Sequence, residues 1–494
     1  VNGKWQINLA QVQNNMWGWE REVYIISYLG RMNYNYDDRY LFQTNLRRDG
    51  SSKFGTNKKW GFFPSASFGW RISNESFFTP VKNTISDLKF RMSYGSNGDQ
   101  QALGPYDWIP SINRSGPYEG LYYVIGGVVR EGAIQTDRTN PDVHWESKTT
   151  FNLGLDFGLL RNKLYGSVEW YHSYSSGLLV RLPLAYATGV GVSFYGDDAF
   201  EWTNYGEMIN RGFEASAGWK DQQGDLKYNV SVNFSTIRNE VVELGESYRE
   251  GGFSNVNRTE KGRSVSDFYL IKTDGIFQSM DEVFDHTTTL SDGTVKLIQP
   301  NARPGDIRYE DANQDGQIDL DDRQWCGSPM PVFEAGLNFS AEYRGFDATM
   351  FLTGVYGNKI FNVMRTAIEG MGGPDNMPAY LEPWTWDNPS GTDPRPVKGT
   401  TDNAKAQTDR WLEDGSYLRL RNIQLGYSVP ESILNKTRAV KSCRLYVSGQ
   451  NLLTFTKYLG YDPEITGNYV FGQGNDWGGY PPVRTYMLGL QLEF

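Results

Sequence analysis

Residues 151–170 read FNLGLDFGLLRNKLYGSVEW, and the order of these side chains decides the fold. Phe151, Leu153, Leu155, Phe157 and Leu159 fall on one side of an extended chain, and Asn152, Gly154, Asp156 and Gly158 on the other. Successive side chains of a strand point to opposite faces, so a period of two predicts a strand with one apolar and one polar face. After a two-residue turn at Arg161-Asn162 the alternation resumes as Leu164, Gly166, Val168 and Trp170, which predicts a hairpin.

The same pattern recurs outward in both directions. Phe213, Ala215, Ala217 and Trp219 alternate, then Tyr228, Val230, Val232 and Phe234 against Asn229, Ser231, Asn233 and Ser235. Phe333 to Tyr343 and Phe346 to Leu352 form another pair around Arg344-Gly345, and Tyr486, Leu488, Leu490, Leu492 and Phe494 close the chain. Several runs hold for about 12 residues, whereas strands of globular proteins average about 5–6. A soluble sandwich would alternate in shorter pieces. A long ribbon with a continuous apolar face fits a wall that touches lipid on one side and a watery or plugged lumen on the other. The terminal aromatic, Phe494, also fits a signal read by outer-membrane insertion machinery.

Composition agrees. Aromatic residues are 15% of the 494, with 31 Tyr, 26 Phe and 15 Trp, and barrels use such rings as girdles at the lipid–water boundary. Mean hydropathy is −0.56 and no run of about 18 apolar residues occurs, which excludes a transmembrane helix but not spanning strands. A net charge of −10 without a basic cluster argues against nucleic acid as a partner. Cys326 and Cys443 form neither a disulfide framework nor a metal motif. His144, His172 and His286 are scattered, and neither a nucleophile elbow nor a phosphate-binding glycine loop is present, so the sequence does not suggest an enzyme.

Short turns at Asp37-Asp38, Arg161-Asn162, Asp221 to Asp225 and Arg344-Gly345 alternate with long connections near 98–145, 181–203, 245–331, 363–415 and 458–482. Short turns on one rim and long extracellular loops on the other characterise outer-membrane barrels. The expected fold is therefore an all-β transmembrane antiparallel barrel, with about 13 strands in this chain. Bacterial barrels close on an even number of strands, so an odd count, with no leader at Val1, leads to the expectation that residues 1–494 are the C-terminal portion of a larger barrel.

Particular motifs then point to a family. Gly305-Asp306-Ile307-Arg308-Tyr309 with Asp311-Ala312-Asn313-Gln314-Asp315-Gly316-Gln317-Ile318-Asp319 resembles a signature of SusC/RagA-like TonB-dependent transporters. Asp274-Gly275-Ile276-Phe277-Gln278, Arg47 to Gly55 with Trp60-Gly61-Phe62-Phe63-Pro64, and Tyr417 to Asn422 with Gln450-Asn451-Leu452 are similar too. The resemblance implies a 22-stranded barrel of the plugged kind, with roughly its last 13 strands here. It also implies active import of oligosaccharides or peptides across the outer membrane. A SusD-like surface lipoprotein would form a lid on the long loops, and the TonB complex would act through an N-terminal part, with its plug, outside this chain. A passive large-diameter porin is the alternative; a secreted calcium-binding, glycan-active β-sandwich is a third reading.

Two sets of site residues follow from residue chemistry. Asp311, Asn313, Asp315, the carbonyl of Gln317 and Asp322 have the spacing of a calcium loop, with Gly316 at its sharp bend and Asp322 where a glutamate is usual. The bland reading is an acidic turn in which Asp and Asn favour tight bends. For cargo, Tyr106, Trp108, Tyr118, Tyr122 and Tyr123 in one long loop and Trp384 and Trp386 in another offer rings that stack on sugars or line peptide pockets. Loop packing is the bland reading of each.

Overall fold

The computed structural model describes residues 21–494 apart from 56, 110–111, 115–121, 136, 139, 189–199, 371–377, 390–391, 398–401, 435–439, 466 and 468. Thirteen strands pair in simple sequence order to form one antiparallel wall. They are β1 (Ile25–Tyr36), β2 (Tyr40–Ser51), β3 (Trp60–Arg71), β4 (Ile85–Asp99), β5 (Glu146–Leu159), β6 (Leu164–Pro183) and β7 (Phe200–Gln223). The second half of the wall is β8 (Leu226–Ser235), β9 (Phe333–Tyr343), β10 (Phe346–Tyr356), β11 (Tyr417–Ser428), β12 (Ser442–Thr456) and β13 (Thr485–Glu493). The count expected from alternation is the count observed, and β1 and β13 stand at the two ends of the order.

Register fixes which face each residue occupies. Leu155 lies opposite Val168, Val168 opposite Ala215, and Ala217 opposite Val232, so the apolar sets of neighbouring strands share one side. Farther along, Leu337 faces Leu352, Ala348 faces Leu425, Leu425 faces Val447, and Val447 faces Leu488. Asn152, Asp156, Glu169, Ser216, Ser231 and Asn338 line the other side, where Arg91 bridges Asp156 at 2.9 Å and Glu169 at 3.2 Å.

Exposure shows what the apolar face is for. Leu155 is 38% exposed, Leu490 58% and Leu488 81%. A water-soluble sheet would cover this side, and a contiguous uncovered apolar surface marks contact with lipid or a partner. The buried apolar clusters lie instead towards the long-connection rim, with Phe54, Leu103, Val143 and Trp145 in one and Val256, Phe268, Leu270 and Trp411 in another.

Several boundaries differ from the sequence reading. The β5–β6 connection is four residues, Leu160 to Lys163, because Leu160, Arg161 and Asn162 all take left-handed backbone (φ 52°, 59° and 62°). Between β7 and β8 the strands run on to Gln223 and from Leu226, leaving Gly224-Asp225 as the turn. The 181–203 loop shortens to 184–199 because β6 and β7 pair as far as Pro183 and Phe200. Asp37 and Asp38 (φ 51° and 50°) and Arg344-Gly345 (φ 47° and 89°) make two further tight turns, with two consecutive left-handed residues that match the twist of the flanking strands.

Candidate functional site: a loop body at the long-connection rim

Three long connections fold together into one body. Strands Tyr248–Gly251, Asn257–Glu260, Asp267–Ile271 and Arg323–Gly327 form a small sheet within the connection from β8 to β9. Lys359–Asn362, Leu412–Asp414 and Asn475–Asp476 form a second, drawn from two other connections. Polar side chains tie them: Asn475 donates to Asn257 Oδ1 at 2.6 Å, and Asn257 donates to the carbonyls of Ser266 and Gln473 at 2.7 and 3.0 Å. Thr273 donates to Asp409 at 2.7 Å. Buried side-chain amides with partners fix a single arrangement, whereas an apolar interface alone tolerates slippage.

The Gly305-Asp306-Ile307 motif has a packing role here. Gly305 has φ 91°, and a Cβ there would stand 2.6 Å from the ring of Trp384. Asp306 receives both arms of the Arg395 guanidinium at 2.7 and 2.9 Å and the amide of Asn403 at 2.9 Å. Ile307 and Tyr309 are buried with Ile271. Nearby, Arg365 grips Glu369 at 2.8 and 2.9 Å and reaches Glu413 at 3.0 Å. Burial would raise the Glu369 carboxyl, but the hydrogen bonds from Arg365 and Tyr380 outweigh it and hold it below its ordinary range. Burial pushes the Cys326 thiol up to about 11, so it stays an unreactive thiol at neutral pH.

One charge cluster locks the last long connection to the wall. Arg419, on β11, is 1% exposed and binds Asp462 at 2.6 Å and Glu464 at 2.8 Å. Its neighbour Arg421 also pairs with Glu464. Sequence reading quoted Arg419 and Arg421 within the Tyr417 to Asn422 likeness but gave them no role, and it passed over Asp462 and Glu464; an arginine at an inward strand position, with acidic residues in the next loop, is the signal that could have found the cluster.

The predicted site residues separate into groups. Trp384 is buried, donates from Nε1 to Gln278 at 2.8 Å and is spent on packing the loop body, whereas Trp386 beside it is 75% exposed. Tyr106 is exposed and sits at φ 70°, an uncommon backbone for a bulky side chain, while Trp108 is half-buried and donates to the carbonyl of Ser52 at 3.2 Å. Tyr122 and Tyr123 lie on the short strand Tyr122–Ile125, with side chains outside the described residues, as is Tyr118 altogether. Trp384 and Trp386 meet edge to face with ring centroids 5.0 Å apart.

The acidic loop is closed on itself. Asp311 accepts the backbone N–H of Asp315 at 3.2 Å and of Gly316 at 2.9 Å, and Asn313 accepts that of Asp315 at 2.9 Å. Asp322 is fully buried and accepts N–H groups of Ala312 and Asp319 at 2.9 and 2.8 Å. Lys296 donates to the carbonyl of Asp315 at 3.1 Å from one side, and Lys405 to that of Ile318 at 3.2 Å from the other. Among the described residues, no group of three or more His, Cys, Asp or Glu side chains stands in a metal-ligating arrangement.

A thirteen-strand antiparallel wall with a bare apolar outside, a polar inside and folded loops on one rim defines an outer-membrane β-barrel protein. The profile described as TonB dependent receptor-like, beta-barrel, matches residues 13–452, and the chain belongs to that family. It is 33% identical over 488 residues to TonB-dependent receptor P3 of Formosa agariphila, covering 96% of this chain and 46% of that receptor. It is 29% identical over 490 residues to TonB-dependent receptor SusC of Bacteroides thetaiotaomicron, covering 95% and 44%. Among solved structures, the RagAB peptide transporter aligns with TM-score 0.75 and 26% identity over 96% of this chain and 48% of that one. The chain spans just under half the length of these relatives.

Proposed function

We propose that this chain supplies the C-terminal wall and the loop body of an importer that carries oligosaccharides or peptides across the outer membrane. A SusD-like lipoprotein would close over the loops, and the TonB complex would drive the cycle through parts of the protein outside these residues. The observation that carries the reading is the loop body itself. Three connections are welded into a folded platform above a polar wall, and it presents Trp386 to solvent. A simple diffusion pore needs a lining, but not a folded platform of that size. The likeness to a peptide transporter supports peptides as cargo.

Tyr106 joins Trp386 as a cargo contact in this reading, because a bulky residue held at positive φ is a strained feature of the kind that functional sites retain. Uptake of labelled oligosaccharides and oligopeptides by cells carrying the full-length protein tests it. Import that requires TonB supports the importer; import of equal rate without TonB identifies the passive porin. The calcium reading of Asp311, Asn313, Asp315, Gln317 and Asp322 rests on spacing, since backbone N–H groups already occupy Asp311 and Asp322. Calcium titration followed by melting temperature tests it: a stabilisation lost in Asp315→Asn supports binding, and no shift at millimolar calcium removes it.

A further inference from the structure

On β8 and β9 the outward side chains, from Leu226 to Phe234 and from Phe333 to Tyr343, form an unbroken apolar or aromatic set. On β6 and β7 they do not. From Leu164 the outward face carries Gly166, Val168 and Trp170, and then His172. Directly opposite His172 is Arg211 on β7, and directly opposite Arg211 is Arg238, on the strand Arg238–Glu243 that continues the wall beyond β8. Three basic side chains therefore occupy one cross-strand row on the outside. Immediately beneath them are Trp170 and Phe213, 41% and 39% exposed, with the Trp170 ring stacked on His172 at 6.2 Å. Such rings mark the boundary between acyl chains and headgroups. Arg48 stands eight residues from the rim residue Tyr40, as His172 stands eight from Leu164, and lies over Trp60 at 5.0 Å. The basic row is thus at interfacial height.

Like charges directly opposite one another across two strands destabilise a sheet. Here the compensation is one carboxylate, Glu240, which reaches Arg211 at 3.3 Å, while Arg238 is exposed and has no ion pair among the described residues. Planar guanidinium groups match phosphate oxygens in a bidentate fork, and cations at this depth extend towards headgroups. We propose that His172, Arg211 and Arg238 dock the phosphate of a phosphorylated lipid headgroup in the leaflet at the long-connection rim. The row would hold that lipid as a fixed part of the outer surface, and the proposal does not depend on the identity of the cargo.

Native mass spectrometry of the full-length protein, extracted in mild detergent from outer membranes, tests this. Arg211→Gln with Arg238→Gln removes about 1 kcal/mol of headgroup attraction per arginine, so retention of phosphorylated lipid falls by about thirty-fold. Arg344→Gln, at the short-turn rim, leaves it unchanged. If the double variant does not assemble, the unaltered protein in nanodiscs decides: it enriches a lipid bearing a headgroup phosphate over the same lipid without one. Equal retention by the double variant, or equal enrichment of both lipids, overturns the proposal. Displacement of the lipid by millimolar inorganic phosphate would also overturn it, by identifying a free-anion site.

Discussion

Replacing Val168 with arginine places a guanidinium halfway up the apolar outside of β6. Val168 lies four residues from Leu164, where the apolar set on that strand begins, and four from His172, where it gives way to the basic row. A strand rising about 3.4 Å per residue and tilted about 40° climbs about 2.6 Å per residue along the membrane normal, so Val168 is about 10 Å from either margin. It faces Leu155 and Ala215 across the sheet and is 36% exposed, so nothing in the protein is positioned to receive the new charge. Arginine near a bilayer midplane costs a barrel about 2–4 kcal/mol, a shift of about 30- to 1,000-fold in the folding equilibrium. Asn338→Arg, on the inward face of β9, is the control and costs no more than about 1 kcal/mol. Reversible urea unfolding of the full-length protein in lipid bilayers measures both. Equal costs for the two substitutions, or none for Val168→Arg, would refute the assignment of the outer face.

Further outcomes follow from the loop body. Arg419→Met leaves Asp462 without its cation, while Glu464 keeps Arg421 and is partly exposed; the cost falls to about 2–3 kcal/mol, below the 3–5 kcal/mol of a fully buried pair, and appears as faster proteolysis within 457–484. Trp384→Ala empties a buried site and costs about 3–5 kcal/mol by thermal unfolding, whereas Trp386→Ala leaves the melting temperature unchanged and weakens cargo binding. Glu369 has a depressed carboxyl pKa, so its contribution is complete above the ordinary glutamate range and is lost as pH falls through the depressed value. Hydrogen exchange across 363–369 accelerates correspondingly in acid, and Glu369→Gln shows fast exchange already at pH 7 with little further change on acidification.

The wall was legible because one physical rule writes it. Along Phe151 to Trp170 every second residue is apolar over a length that only a lipid-facing face requires, and the observed register places those residues on one side. The tight turns were located to within two or three residues, but not the left-handed Leu160, whose aliphatic side chain gives no turn signal. The loop body was not legible. Its strands are two to five residues long, too short for a period to show, and its ties join residues as distant as Asn257 and Asn475. For the same reason Trp384 and Trp386, two residues apart and chemically equivalent in sequence, could not be sorted into a packed ring and an exposed one. The Gly305-Asp306-Ile307 motif was found by resemblance, but its work in seating Trp384 and clamping Arg395 required coordinates.

The most direct test of the account is a nitroxide scan along β5 of the full-length protein in lipid bilayers, with Cys326 and Cys443 replaced by serine and single cysteines introduced from Phe151 to Leu159. Collision with dissolved oxygen, which partitions into acyl chains, and with a water-soluble nickel complex reports what each position touches. The account predicts oxygen maxima at Phe151, Leu153, Leu155 and Phe157, with nickel collisions low there, and oxygen minima at Asn152, Gly154 and Asp156. Uniform protection from both reagents along the whole strand would contradict it, because that is the signature of a ribbon enclosed in a protein interior.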